Sequence, residues 1–323
     1  MGIDEQLLKM LTPSVYVSGS KICRELKISR RLLRQSIERL KKSNCFIEST
    51  PFKGYRIVQP NTSARLDDVQ PFLRTAWLGK NFFHWESLAS TNAQAKLLAQ
   101  TTGCHGDVVV CEQQTQGRGR RGRSWLSVPG GLFFSILLRP NLPPHRASEL
   151  TLLTAVALAE AFRELGIEVW IKWPNDLLVN GKKLVGILTE LVADEGKTRG
   201  VVVGVGVNVN NVEKDFSEDL KTKATSLAMV SGKFLSKAFV LAMLLKHLET
   251  WLDLHASHGF IPIMNAWSTL SSTLGKRVRI DLGNEIKEGK ALRIDPQGAL
   301  MIQDDEGKQF SILAGDVEHL KLA

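Results

Sequence analysis

At 323 residues, with 43% hydrophobic side chains and a formal charge of +9, the chain can bury a sizeable core and should divide into two or three domains. No apolar run approaches the roughly 20 residues of a membrane span, Cys23, Cys45, Cys104 and Cys111 show no Cys-X-X-Cys spacing, and Met1 to Met10 lacks the charged flank and apolar region of a secretion signal. The sequence therefore reads as a soluble cytoplasmic protein, with no membrane partner and no structural metal site.

The charge is unevenly placed. Residues 1–65 hold 13 Lys/Arg against 5 Asp/Glu, whereas residues 66–323 hold 29 against 28. Within the basic segment, Ser18-Gly19-Ser20 precedes a short helix carrying Ile22 and Leu26. A turn follows near Lys27-Ile28, and Ser29 caps a second helix with Leu33, Ile37 and Leu40 on one face. The opposite face carries Arg30, Arg31, Arg34, Gln35, Lys41 and Lys42, side chains suited to phosphates and to base edges in a major groove. Phe46 to Glu48 and Tyr55 to Val58, joined through Thr50 to Gly54, read as a two-stranded wing. A basic helix alone is commonly a solvated face; helix spacing, basic face and wing together predict a winged helix-turn-helix that binds DNA. Residues 58–65 have the turn-rich composition of a linker.

Beyond the linker, strands and helices mix as in a single α/β layer fold. Phe82 to Trp85 is a predicted strand, and Ser90-Thr91-Asn92 opens a helix. Any of these three can serve merely as an N-cap, or the set can donate and accept toward a ureido or amide group. Between two apolar runs, Val108 to Cys111 and Leu132 to Leu138, lies Gln113-Gln114-Thr115-Gln116-Gly117-Arg118-Gly119-Arg120-Arg121-Gly122-Arg123-Ser124-Trp125. Its three glycines allow close backbone approach, and its four arginines offer bidentate donors to phosphate or carboxylate. The Gly-Arg-Gly-Arg-Arg-Gly run matches a dinucleotide fingerprint formally. A second strand follows it instead of a helix, however, and no acidic residue appears before Glu149, so that reading fails. A charged surface loop and a single-strand nucleic-acid patch are the competing readings.

Leu150 to Leu165 is an amphipathic helix expected to pack on the sheet. Lys172-Trp173-Pro174-Asn175-Asp176 is followed by Leu177 to Val179, Asn180-Gly181 and then Lys182 to Gly186. Asn-Gly between apolar runs is a strong hairpin signal, which places Lys183 just past a tight turn at the start of a strand. Lys172 and Lys183 flanking an Asn-Asp pair resemble point charges grouped around a phosphate, though a lysine after a hairpin is commonly just exposed. Val201 to Asn208 reads as a buried strand interrupted by Gly204 and Gly206; Asn208 either hydrogen-bonds a base or merely ends the strand. A helix from Ser236 to His258 precedes short strands around Val278, Ala291, Leu300 and Ile312, separated by Asp295–Gly298 and Asp304–Gly307 turns. His255 and His258, without further ligands, do not make a metal site.

Ser90-Thr91-Asn92, the GRGRRGR run at 117–123, KWPND at 172–176, KLVG at 183–186 and GVGVN at 204–208 together resemble the biotin protein ligases. With the N-terminal winged helix, the chain is similar over its whole length to the bifunctional members, which combine biotin-[acetyl-CoA-carboxylase] ligase with biotin operon repressor.

The resemblance implies an α/β (α+β) multidomain fold: a winged helix-turn-helix at 1–65, a mixed-sheet catalytic domain of the biotin/lipoate ligase type at 66–270, and an SH3-like barrel at 271–323. It implies that biotin and MgATP give biotinyl-5'-AMP, that biotin passes to a lysine of a biotin carrier domain, and that the adenylate acts as corepressor. By the same matching, Ser90, Thr91, Asn92 and Gln114 line the ureido end of biotin, with Gly117, Arg118, Gly119 and Arg120 closing over it and Gly186 beside it. Lys183 and Arg118 serve catalysis, with Lys183 reaching the carboxylate and α-phosphate. Arg120, Arg121 and Arg123 lie near the phosphates, Trp125, Asn175 and Asn208 near the adenosine, and Lys172 and Asp176 within the ATP site. Ser124 departs from the pattern, which often has a basic residue before the tryptophan. Mg²⁺ accompanies ATP; the partners are a carrier domain, operator DNA and a second copy of the chain. A ligase whose winged helix no longer regulates, or a lipoate or octanoate ligase, are the alternatives.

Overall fold

The computed structural model describes residues 3–11, 15–42, 47–57, 63–194, 197–283 and 285–320. The N-terminal part holds α1 (Ile3–Met10), α2 (Gly19–Glu25), α3 (Arg30–Lys42) and an antiparallel wing of β1 (Ile47–Thr50) and β2 (Gly54–Ile57). Ser18 caps α2 by accepting from Lys21 N, and Ser29 Oγ accepts from Leu32 N at 3.2 Å, as the sequence predicts. Leu7, Ile22, Leu33, Ile37, Leu40 and Ile47 form a separate small core, each worth about 1.5–3 kcal/mol when fully buried. Helix α1 was not predicted; it contributes Leu7 to that core and Asp4, which pairs with Arg39 at 2.9 Å. Phe46, Val58, linker residues 58–62 and the Lys42 side chain fall outside what is described.

The central part contains α4 (Leu66–Val69), β3 (Phe82–Leu88), α5 (Thr91–Gln100), β4 (Asp107–Gln114), β5 (Gly131–Leu138), α6 (Ser148–Glu164), β6 (Trp170–Lys172), β7 (Asp176–Val179), β8 (Lys182–Asp194) and β9 (Lys197–Asn208). It continues with α7 (Glu218–Lys221), α8 (Leu227–Ser231), α9 (Lys237–His258) and α10 (Ile261–Leu270). The strands form one mixed sheet ordered β3-β4-β5-β9-β8-β7-β6, in which only β3 and β4 run parallel. Every residue of β5 is buried, because α5 packs on one face of the sheet while α6 and α9 cover the other. A strand covered on both faces reads as a continuous apolar run, which is why Leu132 to Leu138 was legible.

The C-terminal part is an antiparallel sheet of β10 (Arg277–Asp281), β11 (Ile286–Ile294), β12 (Leu300–Gln303), β13 (Gln309–Ile312) and β14 (Asp316–His319), ordered β13-β12-β11-β10-β14. Four strands were expected, and β14 adds a fifth. Among the described residues no ladder pair joins β13 to β14, so closure of the expected SH3-like barrel is not seen. Asp295 Oδ1 accepts from Gln297 N and Ala299 N, and Asp304 Oδ1 from Glu306 N and Lys308 N, which builds the two predicted turns. The sheet is anchored to the central edge strand through Ser272 N donating to Ile171 O at 2.8 Å and Trp173 N donating to Thr273 Oγ1 at 3.1 Å.

Candidate functional site

A cavity opens on the α5 face of the central sheet, where the helix leaves the middle of β8 and β9 uncovered. Its floor is glycine. A Cβ on Gly206 would stand 2.5 Å from the Trp125 ring, one on Gly186 2.7 Å from the same ring, and one on Gly204 1.9 Å from Asn92 Oδ1. Close approach rather than turn geometry requires glycine here. Gly186 and Gly206 face each other across the β8–β9 ladder, so Trp125 lies over a smooth patch of backbone. Its Nε1 is buried without a hydrogen-bond partner among the described residues.

One end of the cavity is neutral and polar. Gln114 Oε1 accepts from Thr91 N at 2.9 Å and from Thr91 Oγ1 at 3.2 Å, while its Nε2 donates to Ser127 Oγ at 2.8 Å. Ser135 Oγ lies 2.7 Å from Thr91 Oγ1 and donates toward Asn92 Oδ1 at 2.6 Å. Ser90 occupies the N-cap position of α5 without a side-chain cap bond, and Gln114 Oε1 takes the N–H of the first helical residue, Thr91.

The other end is cationic. Asn180 and Gly181 both have positive φ, 50° and 76°, which suits the tight hairpin predicted there and sets Lys183 opposite Leu178. Lys183 Nζ lies 2.7 Å from Asp176 Oδ1 and 5.2 Å from the Trp125 ring centroid. Arg120 and Arg123 line the same cavity with Asn175 and Asp176. Asn175 Nδ2 donates to Ile187 O at 2.8 Å, which ties the segment before β7 to the cavity wall. Burial pushes Arg120 below its ordinary value, with Asp316 opposing; burial likewise lowers Lys172, with Asp176 opposing.

The arginine loop is itself a small hairpin. Gly119 N donates to Arg123 O at 2.7 Å and Trp125 N to Gly117 O at 2.9 Å, with Arg121 at φ 54° and Gly122 at φ 72° at the tip. Three of its four arginines have partners on the C-terminal sheet. Arg123 pairs with Asp316 at 2.5 Å, Arg121 lies 3.5 Å from Asp316 and 3.7 Å from Asp281, and Arg120 Nη1 donates to Gly315 O at 3.2 Å.

Residues 85–208 match the Biotin/lipoate A/B protein ligase family, 273–320 the Biotin protein ligase C terminal domain, and 4–56 an HTH domain. The chain is 38% identical to the bifunctional ligase/repressor BirA of Bacillus subtilis, over 94% of each protein. The chain belongs to the biotin protein ligase family. It is also 29% identical to the BirA of Escherichia coli over 93% of this chain and 92% of that one. The fold of the Aquifex aeolicus biotin protein ligase, solved in complex with biotin and ATP, superposes with a TM-score of 0.64 at 32% identity, covering 74% of this chain and 98% of that one.

Of the residues that resemblance to the biotin protein ligases singles out, Thr91, Asn92, Gln114, Gly119, Arg120, Arg123, Trp125, Asn175, Asp176, Lys183 and Gly186 line one cavity. The others stand apart from it. Ser90 is buried at the start of α5, Gly117 lies at the hairpin base, Arg118 is exposed and Arg121 turns to the C-terminal sheet. Lys172 lines a separate cleft with Lys276 and His319, and the Asn208 amide donates to Thr225 O at 3.0 Å. Sequence reasoning missed Ser127, Ser135 and Glu190, which hold the polar end, and Asp281 and Asp316, which hold the loop. Ser135 carried one signal: it is the single polar residue in an otherwise apolar buried strand.

On α3, Arg30, Arg31, Arg34 and Gln35 are all exposed. Arg39, on the same helix, is turned instead to Asp4 and Ser36.

Proposed function

We propose that this protein activates biotin with ATP, transfers it to a lysine of a biotin carrier domain such as that of acetyl-CoA carboxylase, and binds operator DNA with biotinyl-5'-AMP as corepressor. The observation that carries the reading is one cavity with a neutral hydrogen-bonding end at Thr91, Asn92 and Gln114, a glycine floor, and a cationic end at Lys183, Arg120 and Arg123. Biotin has that division: a ureido ring at one end and a carboxylate at the other.

In the first step a carboxylate oxygen attacks the α-phosphorus, the bond to the bridging oxygen of the β-phosphate breaks, and pyrophosphate leaves. Two anions must meet. In this reading Lys183 bridges carboxylate and α-phosphate, and the loop carrying Arg118, Arg120, Arg121 and Arg123 closes over the phosphates. Trp125, its ring laid on the backbone of Gly186 and Gly206 and its Nε1 unpartnered among the described residues, is a flat surface suited to a flat, acceptor-rich group such as the adenylate. In this reading Mg²⁺ accompanies ATP, and Asp176, beside Lys183 in the cavity, is the carboxylate that would face it. In the second step the carrier lysine amine attacks the mixed-anhydride carbonyl, loses a proton, and AMP leaves. Closure of the loop keeps water from the anhydride.

Exposed Arg30, Arg31, Arg34 and Gln35 on α3 suit a major groove. A homodimer through the central sheet, favoured by the adenylate, fits a two-fold operator. Free Cys23 and Cys104 fit a cytoplasmic setting, and among the described residues no helix is long and apolar enough to cross a membrane. Pyrophosphate exchange with biotin, lipoate and octanoate tests the chemistry: exchange with biotin supports it, and exchange with lipoate or octanoate alone overturns it.

A further inference from the structure

Asn92 faces the cavity, yet part of what holds it lies outside. Its Nδ2 donates to Leu188 O at 3.1 Å and to Glu190 Oε2 at 2.7 Å, while Oδ1 accepts from Ser135 Oγ at 2.6 Å. A backbone carbonyl and a carboxylate can only accept, so the amide has one orientation; turned over, its oxygen would face two oxygens. Glu190 is held in turn by the ammonium of Lys96, one turn along α5 from Asn92. The side chain also lies flat on Gly204, where a Cβ would come within 1.9 Å of Oδ1. Both hydrogens of Nδ2 are therefore committed. The only side-chain group Asn92 has left to offer a ligand is the second lone pair of its oxygen.

We propose that Glu190, braced by Lys96, is a positioning residue that sets the specificity of the ring end. By fixing the Asn92 amide it makes that end an acceptor, which selects a ligand presenting an N–H and rejects one presenting hydrocarbon or acceptors alone. The inference rests on the biotin-activating reading, in which the ureido nitrogen supplies the N–H. Neither Glu190 nor Lys96 lines the cavity, so both act through Asn92. A site built to pair with a donor discriminates steeply against an analogue that lacks it, because its own polar groups are then left unpaired.

The test uses the full chain in biotin-dependent pyrophosphate exchange, with Glu190→Gln as the principal variant. A glutamine can turn its nitrogen toward Asn92, so the amide no longer has a single orientation. The KM for biotin should rise about tenfold or more, while the KM for ATP and the rate at saturating biotin stay within about twofold. Preference for biotin over its ureido N-methylated analogue should fall in parallel. Lys96→Met, a partly exposed position, leaves both acceptors in place and should give a smaller shift in the same sense; it carries the test if Glu190→Gln fails to fold. An unchanged biotin KM and analogue preference in the folded variant overturns the proposal, as does an equal loss toward biotin and ATP. Wild-type protein that exchanges with no biotin at all sinks the functional reading beneath it instead.

Discussion

Arg123 of the glycine-rich loop and Asp316 at the start of β14 are 2.5 Å apart, which joins that loop to the C-terminal sheet. The sequence suggests a loop with unneutralised charge. The structure pairs Arg121 and Arg123 with Asp281 and Asp316, carboxylates that phosphate oxygens would compete with. Exposed pairs of this kind contribute about 0.2–1 kcal/mol each, so the loop is held, but weakly.

Hydrogen exchange at residues 116–126 should accordingly be rapid without ligand and slow by a large factor once biotinyl-5'-AMP binds. Asp316→Ala should speed exchange in the ligand-free protein and leave the adenylate complex nearly unchanged. Equal protection of the wild-type loop with and without adenylate would contradict this.

Lys183→Ala should suppress biotin adenylation by about 10²–10³-fold, the scale for removing a group that stabilises developing charge. The fold should survive, because the strand is tied there by backbone: Lys183 N donates to Lys223 O at 2.7 Å and Thr225 N to Lys183 O at 3.0 Å. Circular dichroism together with pyrophosphate exchange separates the two effects. Wild-type rates in the variant would remove Lys183 from the chemistry.

Stability should fall on mild acidification, largely through His319. Burial, then Lys172 and Lys276, hold this imidazole down to about 4 from an ordinary 6.5. Between those values the unfolded chain binds a proton that the folded chain does not, so stability is lost as pH falls through that window. Glu112 and Glu149, both lowered, act in the same direction only below their ordinary 4.5. Urea titrations at pH 7 and 5 should show the drop. His319→Asn, which can keep a hydrogen bond to Thr273 Oγ1, should shrink it; an unaltered pH profile in that variant counts against the assignment.

Much of the fold was legible because it depends on local chemistry. Leu33, Ile37 and Leu40 mark one helix face, Asn180-Gly181 marks its hairpin, and the apolar run of β5 marks a strand covered on both sides. Pieces of the site were legible for the same reason, since glycine and arginine at 117–123 carry their meaning wherever they fold. What was not legible depends on pairing across the chain. Glu190 looks like an ordinary charged residue in β8 until α5 brings Asn92 and Lys96 against it. Asp316 gains its role only when the C-terminal sheet meets the loop. Helices α1 and α10 were missed for different reasons: the first is a single short amphipathic stretch, and the second follows α9 after one Gly-Phe break.

The exposed face of α3 makes the last prediction selective. Arg31 and Arg34 are free of ion pairs among the described residues, whereas Arg39 is held by Asp4 at 2.9 Å and by Ser36 Oγ at 2.8 Å. Replacing Arg31 or Arg34 with Ala should therefore weaken operator binding by about 1–3 kcal/mol, the scale of a base-edge contact, without altering biotin transfer. Arg39→Ala should leave DNA affinity nearly unchanged and instead loosen α1 from α3. One winged helix makes few phosphate contacts, so binding should require a homodimer whose two-fold axis matches the operator. Adenylate should promote that dimer, because a loop ordered in advance lowers the cost of association. Sedimentation and gel shifts, each with and without biotinyl-5'-AMP, read both effects. If the adenylate moves neither, the winged helix has lost its regulatory role and the chain acts as a ligase alone.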